Sequence, residues 1–140
     1  MDVDFIENIE TNVKDWAPVK NWIMDCVVNE GKSVGVLSFV FMSDEELLTF
    51  NRKYLNHDYH TDVITFDNSE FPVISGDVLI SVEMVLYNCN ILKISYKEEF
   101  LRIIIHGVLH LCGYKDKAEL DILEMRRKEE FYLGKVTFEI

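Results

Sequence analysis

Positive charge is what this chain most lacks: 14 Lys and Arg stand against 25 Asp and Glu, a net charge of −11. A protein that tracks a polyphosphate backbone over a broad surface needs a basic face, so any contact with nucleic acid must be local, metal-assisted or delivered by a partner. Cysteine is scarce too. Cys26, Cys89 and Cys112 are odd in number and show no C-x-x-C spacing, which excludes a disulfide framework and reads as reduced, mostly buried thiols. Cys112 lies two positions past a candidate ligand and so on another helix face, where a core role fits better than ligation. No apolar run reaches about 18 residues, so no membrane span is expected. The first residues, Met1-Asp2-Val3-Asp4, lack the positive charge of a secretory leader. Repeats, low-complexity tracts and linkers are missing as well, and the expectation is a single domain over residues 1–140, with 49% apolar residues to fill its core.

What is present is an α/β order. Alternating or β-branched runs predict strands over 3–9, 34–42, 61–66 and 77–80, with residues 67–75 as a turn region around Pro72. Helical spacing of Trp16, Val19, Ile23 and Val27 predicts a helix over 16–29, which Gly31 ends. The capping boxes Ser43-x-x-Glu46 and Ser95-x-x-Glu98 open helices reaching about 54 and 112. Further helices are expected over 81–92 and from Lys117 to about Phe131, stopped by Gly134, with 135–140 as an extended tail. The fold class is therefore α/β (α+β): a mixed sheet of about four strands packed with about five helices.

The helix over 96–112 carries the chemistry. Residues four apart lie one above the other on a helix face, so His106 and His110 can direct ring nitrogens at one point. Gly113 can take the left-handed conformation that turns the chain back, which would bring Asp116 to the same point. The pattern H-x-x-x-H-x-x-G-x-x-D thus suits a three-ligand Zn²⁺ site with an open fourth position. The structural alternatives are half-buried histidines bonded to backbone carbonyls, and an Asp116 that caps the next helix through Asp116-x-x-Glu119. The acidic pairs Glu98-Glu99 and Glu129-Glu130 and the run Asp44-Glu45-Glu46 read mainly as solvated helix surface. A metzincin-type protease needs Glu directly after the first histidine, where this chain has Gly107.

The stretch His106-Gly107-Val108-Leu109-His110-Leu111-Cys112-Gly113-Tyr114 resembles the C-terminal signature of the YbeY family of metal-dependent endoribonucleases. Thr61-Asp62-Val63-Ile64-Thr65-Phe66 and Gly76-Asp77-Val78 resemble two further blocks of that family, in the same order and separation. The resemblance implies one Zn²⁺ per chain on His106, His110 and Asp116, and activation of its bound water for attack on single-stranded RNA. It also implies a role in rRNA processing at the 3′ end of 16S rRNA and in ribosome quality control, with the ribosome or its proteins as partners and a cytoplasmic location. Two departures stand out. Lys115-Asp116 replaces the usual Asp-His, so a carboxylate takes the place of the third imidazole and would leave bound water less acidic. Leu55 stands where the family usually has an Arg facing the cleft, and Arg52, Lys53, His57 or His60 are candidates to supply that charge to substrate. The alternative function is a non-catalytic ribosome assembly factor whose metal site is structural or vestigial.

Overall fold

A computed structural model describes residues 2–140. Five helices and four strands follow in the order β1 (Asp2–Glu7), α1 (Ala17–Asn29), β2 (Ser33–Met42), α2 (Asp44–Leu55), β3 (Val63–Asp67), β4 (Val73–Ser81), α3 (Val82–Leu92), α4 (Tyr96–Leu111) and α5 (Glu119–Leu133). The sheet order is β1-β2-β4-β3, with β1, β2 and β4 parallel and β3 antiparallel at the edge.

Side-chain alternation divides this sheet into two unequal faces. Val3, Leu37, Phe39, Phe41, Ile74, Val78 and Ile80 face the main core, where α1 and α4 pack against them. Met42, Ile64 and Leu79 face the other way and are covered by Leu47 of α2. Phe5, Trp16, Phe41 and Phe100 stack in sequence across the main core, with neighbouring centroids 4.2, 5.2 and 5.3 Å apart. Helix α4 is the centre of that core, buried on nearly all sides from Phe100 to Leu111. Its Ser95 side chain accepts from the Glu98 amide, as a capping box requires.

Several boundaries depart from the sequence expectation, among them β1, which ends at Glu7 and not at residue 9, and β3, which starts at Val63 and not at residue 61. Strand β4 begins at Val73, inside the segment expected to be a turn, because Val73 and Ile74 pair with Ser33 and Val34 of β2 several residues before β3 joins at Gly76. Pro72 ends up just outside the strand, its carbonyl accepting from Ser33 N at 2.9 Å. Helix α5 starts at Glu119 with Ala118 as its N-cap and no side-chain cap, so Asp116 does not cap it. Gly134 does end α5, but in a right-handed conformation.

Gly107 sets how closely α4 lies on the sheet. A Cβ there would stand 2.7 Å from Val78 Cγ1, a distance that packed side chains do not tolerate. Thr65 of β3, the pairing partner of Val78, lies against the same position.

Candidate metal centre

Helical periodicity places the His106 and His110 rings edge to face with centroids 4.5 Å apart. The helix then closes: Tyr114 N donates to the Leu109 carbonyl and Gly113 N to that of His110, both at 3.0 Å. Gly113 takes φ +110°, and the chain doubles back through Lys115. Asp116 returns to the helix with Oδ2 at 3.3 Å from Nε2 of each histidine, and those two nitrogens are 3.0 Å apart.

The far side of each ring is occupied. His106 Nδ1 lies 2.6 Å from Glu129 Oε2, and His110 Nδ1 lies 2.9 Å from the Tyr114 carbonyl oxygen. Donation from both Nδ1 atoms leaves both Nε2 lone pairs directed at the Asp116 carboxylate. In that tautomer three acceptors converge with no donor among them, an arrangement that a bound cation, or a proton on one imidazole, satisfies. Atoms about 2.0–2.1 Å from a tetrahedral ion stand about 3.3 Å from one another, the spacing found here, so the donor set fits Zn²⁺ or a similar divalent ion. Among the described residues these three form the one group with metal-binding geometry. Cys112 is not part of it; burial pushes its thiol up to about 12, as expected of a core residue.

The carboxylates around His106 favour positive charge at the cluster, so a proton on His106 and a metal ion compete for the same position. Burial opposes the imidazolium of His106, but the hydrogen bond and charge of Glu129, with Asp116 and Asp62 adding to them, hold its pKa above the ordinary value. Burial likewise works against the Glu129 carboxylate, and His106 and Arg102 together keep its pKa below the usual range. Arg102 is buried between α4 and α5, donating to Glu129 Oε1 at 3.2 Å, Glu130 Oε1 at 2.6 Å and Glu98 Oε2 at 3.4 Å. The expectation of solvated helix surface therefore fails for Glu129 and Glu99, each 4% exposed. Their side chains turn toward the α4 face that carries the histidines.

A cleft of about 450 Å³ opens beside the cluster, lined by His106, Asp116 and Glu129 together with Asp62, Asn88, Glu99, Arg102 and Arg126. Arg52, Lys53, His57 and His60 lie outside this lining, at the end of α2 and in the loop after it. Arg52 pairs with Asp58, Lys53 lies over the Tyr54 ring, His57 contacts Tyr59, and His60 Nδ1 is 2.7 Å from Asp44 Oδ2. The sequence did carry one signal for the missed residues. From Glu99 to Leu111, Glu99, Arg102, His106 and His110 are the only polar side chains of α4, spaced by three and four along one face.

Fold and site together define an α/β protein with a candidate metal site of the His₂-carboxylate kind, its three side chains presented by one helix and the turn after it. A family model described as Endoribonuclease YbeY matches residues 5–137, and the chain belongs to that family. It is 43% identical over 128 residues to the Endoribonuclease YbeY of Flavobacterium psychrophilum, covering 91% of each chain. With the protein of the same name from Porphyromonas gingivalis it shares 46% identity over 112 residues, 80% of this chain and 74% of that one. The solution structure of TM1509 from Thermotoga maritima has the same fold, with a TM-score of 0.70 at 24% identity over 95% of this chain and 87% of that one.

Proposed function

We propose that this chain is a zinc-dependent endoribonuclease that cuts single-stranded RNA, with one Zn²⁺ per chain on His106, His110 and Asp116. The observation that carries the reading is the triangle of three converging acceptors at the end of an open cleft. Bound there, the metal supplies an activated water and positive charge against the phosphoryl oxygens.

The rest of the work falls to the chain's own side chains. Glu129 and the Tyr114 carbonyl hold the two imidazoles in the tautomer and orientation that ligation needs. Arg102 fixes Glu129 in turn. Arg126, 61% exposed at the mouth, offers a cation to an incoming phosphate. The family resemblance extends the proposal to rRNA, maturation of the 16S 3′ end and ribosome quality control, in contact with the ribosome and in the cytoplasm. No described helix is long and apolar enough to cross a membrane.

Elemental analysis and RNA cleavage on the same preparations test the proposal. About one zinc per wild-type chain is expected, with loss of both zinc and cleavage in His110→Ala. The acidic cleft lining favours one rival, a non-catalytic assembly factor. Under that reading His110→Ala keeps its ribosome association and the wild type cuts no RNA.

A further inference from the structure

In the cleft beside the metal cluster, two turns of α4 before His106, Glu99 is 4% exposed, and its Oε1 has no partner within hydrogen-bond distance. A buried carboxylate oxygen left unpartnered is costly, and such oxygens are rare unless a ligand completes them. The nearest cation does not do so: Arg102 Nε is 3.9 Å away, beyond hydrogen-bond distance, and its guanidinium is committed to Glu98, Glu129 and Glu130. Asn88 Nδ2 donates to Asp62 Oδ2 at 3.2 Å, and its second N–H is a neutral donor near the Glu99 carboxylate, which it helps to stabilise without coming within hydrogen-bond distance of Oε1. Ile91, Leu92 and Ile103 line the same stretch and form an apolar wall.

We infer that this part of the cleft is a nucleoside subsite, in which Glu99 Oε1 accepts a hydrogen bond from a donor on the nucleotide neighbouring the cleaved linkage. The inference rests on the nuclease reading of the metal cluster. Glu99 and His106 are seven residues apart on one helix, a rise of about 10 Å, which is the reach of one nucleotide from a phosphate held at the metal. An acceptor-rich wall repels phosphate and selects groups that donate. On a nucleotide those are the ribose 2′-hydroxyl and the exocyclic base amine, while the apolar wall suits the face of a base. Burial and the charge of Asp62 raise the Glu99 pKa, while Arg102, a weak interaction with Asn88, and Arg126 pull the other way without cancelling them, so a further donor would stabilise the carboxylate.

The test compares zinc-loaded wild type with Glu99→Met and the isosteric Glu99→Gln. Binding of a labelled purine RNA octamer is read by anisotropy in the cold before cleavage advances. The all-DNA counterpart and an RNA whose purines lack amino groups are titrated beside it. Wild type should bind at least one of these analogues about tenfold more weakly than the RNA, the worth of one hydrogen bond to a charged acceptor. A deficit with DNA identifies the 2′-hydroxyl, and a deficit with the amine-free RNA identifies the base. Glu99→Met should erase the preference and melt at the same or a higher temperature, and Glu99→Gln should reduce it. Preferences unchanged in both variants, or no preference in wild type, overturn the inference. The cleavage assay separates the two readings, since a wild type that binds selectively but cuts nothing removes the nuclease reading and leaves the subsite standing.

Discussion

Glu129 shows how much one side chain can decide. It reaches across from α5 to fix the His106 tautomer with one oxygen and takes Arg102 with the other. Partners of this kind typically account for 10–100-fold in metal affinity. Glu129→Gln is therefore expected to weaken zinc binding by about that factor, read by competition with a chelating dye on folded protein. Glu30 does similar work on the other ligand. It is bound by Tyr114 Oη at 2.6 Å, by Lys128 Nζ at 3.1 Å and by the Tyr132 hydroxyl, and the carbonyl of that same Tyr114 holds His110. Burial would raise the Glu30 pKa, but these hydrogen bonds and the Lys128 charge lower it below the ordinary carboxylate value. A pKa lower in the folded than in the unfolded chain means stability that is full above the unfolded value and is lost as pH falls through the folded one. Urea unfolding from neutral pH down to about pH 3 should accordingly show a shallower acid limb for Glu30→Gln than for wild type.

Among the elements, α4 and its contacts govern the site. Gly107 allows the helix to lie against Val78 and Thr65. Gly107→Ala should cost about 1–3 kcal/mol by overpacking and, by lifting the helix off the sheet, weaken zinc binding at the neighbouring His106. Equilibrium unfolding and zinc titration on the same variant check the two effects together. The α4–α5 contact depends on Arg102 among its carboxylates. Removing one partner of a buried ion pair typically costs about 3–5 kcal/mol, so Arg102→Ala should fall in that range by urea unfolding. A loss under about 1 kcal/mol would place Arg102 with ordinary surface pairs.

For the molecule as a whole, with a net charge of −11, a metal bound at the proposed site would be the main local source of attraction for a phosphodiester. Few counterions are released when so few cations meet the substrate. The logarithm of RNA affinity should then fall with log salt at a slope no steeper than about −2, against about −0.7 for each phosphate contacted by a single strand. A slope several times steeper would reveal a basic surface outside the cleft. Metal also links the site to global stability. Zinc at about 100 times its dissociation constant should add about 2.7 kcal/mol, a rise in Tm on the order of 10 °C for a chain of this size, reversed by chelator.

Local chemistry was legible in the sequence wherever the chain's own period sets the geometry. The spacing of four puts His106 and His110 together on any α-helix, Ser43 and Ser95 cap where they stand in the chain, and Gly113 turns the backbone before Asp116 whatever packs around it. The mixed four-strand, five-helix order followed from patterning in the same way. The start of β4 did not, because Val73 and Ile74 are strand only by virtue of a parallel neighbour some forty residues earlier. The outer half of the site was hidden for the same reason. Glu129 is 23 residues from His106, and Asp62 is 26 from Asn88, and neither pair has a local signature. Seen along the chain, Glu99 and Glu129 belong to acidic pairs of a kind common on solvated helices. Only the docking of α3 and α5 against α4 buries those carboxylates and gives each a partner or a cavity, because burial is a property of packed elements and not of their order.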